Sequence, residues 1–249
     1  MKAIYAVINR KGGTGKTTTA HALGAGLSDR GYKVLFIDLD AQANLTDVTG
    51  AEQTAKNIYK VLTGDIQLED AIQHTAAGFD IVPATYDLIT AERQIRKAGA
   101  LKEALQSCKR KYDYIVIDTA PTVSVLTAEA LSVATEAVIV AQTDLFSLNG
   151  ISEVSATIEE AKRANRQLHT AGILLTRFNS RTVIGRDIAD SLSEYALSIG
   201  TKLFDTRIRE CTAIKESQTM RQSIFEYSPR CNAAVDYRHF IDELIKERK

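Results

Sequence analysis

The chain is 249 residues long, 45% hydrophobic and 25% charged, and its 31 Lys and Arg balance 31 Asp and Glu. Such proportions exclude a disordered chain, and a net charge of zero leaves no chain-wide case for nucleic acid or an acidic membrane, so any such affinity is local. Cys108, Cys211 and Cys231 are an odd, widely spaced set without a C-x-x-C pair, which excludes a disulfide framework and a cysteine metal cluster and leaves buried or incidental thiols as the expectation.

In chain order the first signal is the apolar run Ala3-Ile4-Tyr5-Ala6-Val7-Ile8. Directly after it come Lys11-Gly12-Gly13-Thr14-Gly15-Lys16-Thr17-Thr18 and a helical stretch with Ala20, Leu23 and Leu27 on one face. Strand, glycine-rich loop and helix in that order read as a phosphate-binding loop. The glycines let backbone N–H groups turn inward around a polyphosphate, Lys16 adds a point charge, and Thr17 offers its hydroxyl to magnesium at a helix N-terminus. Arg10 stands where the pattern G-x-x-x-x-G-K-[ST] has glycine, and Lys11 adds a second lysine at the loop entrance. A dinucleotide-binding turn would need neither Lys16 nor Thr17, although Asp38 and Asp40 fall where such a turn wants an acid.

Further β-branched runs follow at Val34-Leu35-Phe36-Ile37, Ile81-Val82, Tyr114-Ile115-Val116-Ile117, Ala137-Val138-Ile139-Val140 and Gly172-Ile173-Leu174-Leu175. Between them lie amphipathic segments, with Leu101 and Leu105 on one face and Val154, Ile158 and Ala161 on another. The runs are continuous rather than alternating, as strands covered on both faces should be. Their β-α order predicts an α/β fold, a doubly wound, mostly parallel sheet flanked by helices. Pro83, Pro121 and Pro229 are the only prolines and no linker marks a boundary, so residues 1–249 read as a single domain.

Two strands end in acids, at Asp38-Leu39-Asp40 and at Asp118-Thr119-Ala120-Pro121. A parallel sheet opens these ends on the same edge as the phosphate loop. Carboxylates there can hold magnesium through its waters or orient a water for attack on a terminal phosphate.

Between residues 162 and 186 there is no acid, whereas Lys162, Arg163, Arg166, Arg177, Arg181 and Arg186 supply six positive charges; Arg207, Arg209, Lys215 and Arg221 follow. Such groups neutralise DNA phosphates without reading sequence. A second cluster, Arg93, Arg96, Lys97, Lys102, Lys109, Arg110 and Lys111, is interrupted only by Glu103 and reads as a solvated helix face and its end. No apolar stretch approaches the ~20 residues that span a bilayer, and the first strand pattern starts at residue 3. A cytoplasmic protein without an N-terminal helix-turn-helix module is the expectation.

Three segments resemble a known family, the deviant Walker ATPases of the ParA and MinD group: K-G-G-T-G-K-T-T at 11 to 18, F-I-D-L-D-A-Q-A-N at 36 to 44, and Y-D-Y-I-V-I-D-T-A-P at 112 to 121. Ile208-Arg209, Glu216, Tyr227-Ser228-Pro229, Ala234 and Tyr237 carry the likeness to the C-terminus. The resemblance implies a P-loop ATPase of the deviant Walker A type with ATP and Mg2+ as its ligands. It also implies a homodimer formed with ATP, in which Lys11 reaches the phosphates held by the partner subunit. Lys16 and Thr17 would be the phosphate and magnesium ligands within one subunit, Asp40 would position the hydrolytic water, Asp118 would be the Walker B carboxylate, and Asp38 a helper near magnesium. The chain departs from the family at Ala41 and Ala120, where proline is usual, and at Ile208 before Arg209.

Within the family the sequence favours ParA-type partition: nonspecific DNA binding, a nucleoid-associated location, and hydrolysis stimulated by a ParB-like partner that supplies an arginine in trans. Candidate DNA contacts are Arg181, Arg186, Arg209, Lys215 and Arg221. The alternative, a MinD-like membrane-associated positioning ATPase, requires a C-terminal amphipathic anchor. Residues 237–249 are amphipathic but carry three acids and resemble the last packing helix of ParA proteins, so no membrane partner is expected. An iron-sulfur role lacks paired cysteine ligands, and a small-molecule kinase or ligase would share the loop without needing Lys11.

Overall fold

The six apolar runs fold as strands, and a short seventh pairs at one edge. In the computed structural model, which describes residues 1–95, 99–144 and 147–246 without the side chains of residues 92 and 147–149, the strands are β1 (Ala3–Ile8), β2 (Val34–Leu39), β3 (Gln73–His74), β4 (Asp80–Val82), β5 (Tyr114–Thr119), β6 (Glu136–Gln142) and β7 (His169–Thr176). The helices are α1 (Lys16–Ser28), α2 (Asn44–Val48), α3 (Ile58–Leu62), α4 (Leu68–Ala71), α5 (Leu88–Gln94), α6 (Ala100–Ser107), α7 (Val125–Val133), α8 (Ser147–Ala164), α9 (Val183–Ser198), α10 (Ala213–Thr219), α11 (Ile224–Tyr227) and α12 (Asn232–Lys246).

One sheet runs in the order β3-β4-β2-β5-β1-β6-β7. Every pairing is parallel except β3 with β4. The doubly wound expectation holds, and β3 is an addition to it: two residues, neither apolar, closing the edge antiparallel.

Alternation along buried strands sends side chains to two apolar layers. Ile4, Ala6, Ile8, Leu35 and Ile37 face one layer, roofed by α3, α6, α7, α8 and α9; Tyr5, Val7, Phe36 and Val116 face the other, under α1, α11 and α12. Helix α1 lies unusually close to both its neighbours because it has no side chain where they meet. A Cβ on Gly24 would stand 2.2 Å from the Phe36 ring, and one on Gly26 would stand 2.4 Å from Ile241 Cδ1 in α12.

Helix α12 turns Ala233, Ala234, Tyr237, Phe240, Ile241 and Leu244 into this layer. The amphipathic tail is therefore a packing helix over residues 232–246, as its likeness to ParA tails implied; residues 247–249 lie outside the described residues. No helix among the described residues is long and apolar enough to cross a membrane. The three cysteines are half-buried free thiols.

Candidate nucleotide site

Six parallel strands deliver their carboxyl ends to one edge, and the phosphate loop crosses it between β1 and α1. Gly13 (φ 76°) and Gly15 (φ 91°) adopt left-handed backbone that side chains resist, and Gly15 is the residue from which α1 starts. Thr17 and Thr18 thus sit on the first turn, where unpaired N–H groups and the helix dipole favour an anion. The loop is braced from residues far along the chain. Thr176 at the end of β7 donates its hydroxyl to the Thr14 carbonyl at 2.6 Å, and Gln142 Nε2 at the end of β6 donates to the Gly13 carbonyl at 2.8 Å. Asn9 Oδ1 accepts from the Lys11 N–H at 2.9 Å.

The two lysines of the loop are placed differently. Lys16 is buried, its ammonium donating to the Lys11 carbonyl at 3.1 Å. Burial lowers its pKa, and the carboxylates of Asp118 and Asp40 oppose that shift. Lys11 leaves the loop: its ammonium meets Asp144 Oδ2 at 2.6 Å, and its side chain stays 43% exposed. Arg10 beside it pairs with Glu153.

The aspartates share the rim but not a role. Asp38 and Asp118 are direct register partners on β2 and β5, both fully buried. Asp38 is occupied: Oδ1 accepts from the Asp40 N–H at 3.0 Å, while Oδ2 accepts from the Thr46 N–H and hydroxyl, each at 2.8 Å. Burial pushes its carboxyl up to about 6 against these donors, which lower it. Asp38 therefore pins the segment from Asp40 to Thr46. Asp40 is nearly buried; its Oδ1 accepts from the Gln42 N–H at 2.9 Å and its carbonyl from the Ala43 N–H at 2.8 Å. These bonds fix the turn around Ala41, where the resemblance implied a proline.

Asp118 is the contrast. Neither carboxylate oxygen has a hydrogen-bond partner of good geometry, although the Thr17 hydroxyl and Lys16 lie close enough to lower its pKa. Burial and the neighbouring Asp38 outweigh them and hold it well above the usual carboxylate range. A buried carboxylate with both oxygens unpaired costs free energy unless a cation compensates it. Among the described residues no three His, Cys, Asp or Glu side chains form a metal cage. The donor set of Thr17, Asp118 and phosphate oxygens suits a hard ion that keeps several waters, and so fits magnesium.

Beside the loop, a cavity of about 140 Å³ is lined by Gly15, Thr18, Arg177, Ile208, Cys211 and Gln218 among others. Gln218 Nε2 donates to the Thr18 hydroxyl at 3.0 Å, and Thr19 shares a 3.1 Å hydrogen bond with Tyr237. Sequence reasoning named the loop and the aspartates but missed Asn9, Gln142, Thr176 and Gln218. Only Asn9, adjoining the loop, carried a local signal.

Of the candidate DNA contacts, Arg209 and Lys215 line this cavity, and Arg181, Arg186 and Arg221 lie outside it. Arg181 and Arg186 are exposed around the start of α9, with Arg186 donating to the Ser180 carbonyl at 2.8 Å. Lys215 is exposed on α10, and Arg221 is exposed just after it. Arg209 is engaged: its Nε and one terminal nitrogen grip Asp236 at 2.9 and 2.6 Å.

The first 170 residues match the AAA domain family. Over 242 residues the chain is 34% identical to the chromosome-partitioning ATPase Soj of Thermus thermophilus, covering 96% of this chain and 94% of that one. Cobyrinic acid a,c-diamide synthase of Mycobacterium smegmatis, solved with an ATP analogue and magnesium, is 28% identical with a TM-score of 0.81, covering 99% of this chain and 96% of that one. The septum site-determining protein MinD of Pyrococcus horikoshii, complexed with Mg-ADP, is 28% identical with a TM-score of 0.79 over 100% of this chain and 99% of that one. These proteins bear names for different roles, and the two solved ones share the fold described above. By its loop, its two acid-tipped strands and its match along nearly the whole length of a partition ATPase, the chain belongs to the AAA domain family and, within it, to the deviant Walker ATPases of the ParA and MinD type.

Proposed function

We propose that residues 1–249 form one ParA-type partition ATPase unit that binds ATP and Mg2+, pairs with a second copy around the nucleotide, and in that state holds DNA nonspecifically. A ParB-like partner would then stimulate hydrolysis and release. The observation that carries this reading is the division of labour between the two loop lysines. Lys16 is buried among Asp118 and Asp40, where it neutralises phosphates within its own subunit, whereas Lys11 projects outward from the loop entrance. A small-molecule ligase has no use for that outward charge; a nucleotide shared across a two-fold interface does, because it gathers more negative charge than one subunit can compensate.

The other residues take their parts from the geometry. Backbone N–H groups of Gly12 to Thr18 would cradle the phosphates, and the cavity beside Gly15 and Thr18 would take the base. Thr17 and Asp118 would hold magnesium, with Asp38 behind them; the ion supplies charge neutralisation at the phosphate oxygens. Asp40 Oδ2, which has no hydrogen-bond partner among the described residues, would orient the attacking water. Phosphoryl transfer asks little covalent chemistry of the protein beyond such positioning and charge stabilisation.

Partition is preferred to a MinD-like membrane role because the apolar face of α12 is buried and the partition ATPase matches at 34% identity. The test is co-sedimentation of the full chain, with and without Mg-ATP, against plasmid DNA and against anionic liposomes, with light scattering for mass. ATP-dependent doubling of mass with salt-sensitive DNA capture supports the reading. Capture by liposomes alone, or a monomer that turns over ATP without binding DNA, overturns it.

A further inference from the structure

The parallel sheet has a second edge. Between the amino ends of β1, β5, β6 and β7 lies an open cleft of about 780 Å³, far along the strands from the phosphate loop. Lys102 of α6, Lys111, Arg163 of α8 and Arg166 line it, and no acid does. All four are exposed, and none has an ion-pair partner among the described residues, whereas Arg10, Lys11, Arg30, Lys60, Lys162 and Arg209 each have one. The frame beneath is firm. Buried Glu129 accepts from the N–H groups of Gly99, Ala100 and Leu101 and so fixes the start of α6, and Asn165 Nδ2 donates to the carbonyls of Leu131 and Ala134 and so fixes the turn after α8.

Like charges gathered without counter-charges repel one another, and a helix end favours cations only within its last turn. Lys162 already meets that preference at the end of α8, paired with Glu159; Arg166 and Lys111 lie beyond any helix. The cations also continue past this cleft. A neighbouring cleft of about 460 Å³ shares Lys111 and adds Lys33 and Arg110, with one acid, Asp80, which His74 and Tyr112 engage. An occupant satisfying both is longer than either. It meets flexible, exposed cations rather than a shaped pocket, which is how a regular phosphate backbone is held without sequence readout; a short acidic peptide would be contained by one cleft.

We propose that this amino-edge groove is a DNA-backbone contact, in addition to the residues around α9 and α10. The inference rests on the DNA-binding reading above. The test measures binding of the full chain with a slowly hydrolysed ATP analogue to a random-sequence duplex by fluorescence anisotropy, across about 50 to 300 mM KCl. In the quadruple variant Lys102→Gln, Lys111→Gln, Arg163→Gln, Arg166→Gln, the slope of log affinity against log salt should fall by about 0.9 for each phosphate that is no longer neutralised. Affinity near 100 mM salt should fall by at least about tenfold. ATP turnover without DNA should not change, which reports that the variant is folded. The pair Arg163→Gln, Arg166→Gln should show about half that decrease in slope, and the charge-retaining swaps Lys102→Arg, Lys111→Arg, Arg163→Lys, Arg166→Lys should show none. Unchanged slope and affinity in the quadruple variant, beside a wild type that binds DNA, overturn the groove and leave the partition reading standing. Loss of poly-glutamate binding with DNA binding intact reassigns the groove to an acidic protein segment and also overturns it. A wild type with no salt-sensitive DNA binding removes the parent reading and the groove together.

Discussion

The two edges of the sheet solve opposite electrostatic problems. At the carboxyl edge, charge is buried: Asp38, Asp118 and Lys16 sit inside the protein, pKa values are displaced, and Asp118 has both oxygens unpaired. At the amino edge, charge is kept in water, on long side chains around wide clefts. Buried, fixed charge acts strongly over short distances on one small ligand, whereas exposed charge acts weakly and additively on something extended. Chemistry is thus to be sought at the carboxyl edge and mere holding at the amino edge.

The largest effects should come from breaking the buried edge. Lys16→Ala should abolish ATP binding by calorimetry. Asp40→Ala should keep ATP affinity within about threefold while turnover falls by about 10²-fold or more, because the positioning of water is lost while Lys16, Thr17 and the loop N–H groups remain. Equal loss of affinity in both variants would show that Asp40 belongs to binding rather than hydrolysis.

Asp118→Asn should separate function from stability. Without nucleotide, the variant should be more stable than wild type by about 1–3 kcal/mol, since an uncompensated buried carboxylate is removed, while Mg-dependent turnover is lost. Because its carboxyl is held above the ordinary value, native Asp118 keeps a proton that the unfolded chain has already released. Wild-type stability therefore falls as pH rises above the ordinary carboxylate range, and in thermal melts the Asn variant should show a smaller fall, the remainder belonging to Asp38, whose carboxyl is pushed up to about 6.

A comparable effect of opposite sign comes from the layer between the edges. His21 is fully buried against Phe36 and Phe79, and burial lowers its pKa from 6.5 to about 4. A depressed histidine binds its proton more readily unfolded, so its contribution is complete above pH 6.5 and declines on acidification toward 4. The loss amounts to about 3 kcal/mol at the acid end. His21→Leu should flatten that part of the stability profile in denaturant titrations, and an unchanged profile would assign the acid sensitivity elsewhere.

The smallest effect tests the one cation at the carboxyl edge that behaves like those at the other. Lys11 rests on Asp144, a partly exposed pair worth about 0.2–1 kcal/mol. Asp144→Asn should release Lys11 and lower the protein concentration needed for the proposed ATP-bound dimer by up to about fivefold, read by light scattering. A higher concentration requirement would mean that Asp144 serves the interface directly.

Much of this was legible in the residues. The phosphate loop is contiguous and flanked by strand and helix signals, so residues 11 to 18 announce themselves. The buried strands are equally local, being continuous apolar runs. Strand β3 was hidden because Gln73 and His74 carry no apolar pattern and pair only by lying beside β4. Gln142, Thr176 and Gln218 were hidden because the loop they brace is more than a hundred residues away along the chain. The basic clusters were divided by sequence rather than by space. Lys102 and Lys111 read as a solvated helix face and its end, and Arg163 and Arg166 as part of a separate run, yet all four line one groove. Arg96 and Lys97 of the first cluster lie outside the described residues.

The strands of a parallel sheet all point one way, and that polarity has a consequence for an assembly built on it. If two copies clasp nucleotide through their carboxyl edges, their amino edges are turned outward, back to back. Each pair then presents basic ground at both of its ends, and neither end can follow the same stretch of duplex as the other. Such a particle is a staple: loaded with ATP it would tie together two remote segments of DNA, and on hydrolysis it would let both go at once.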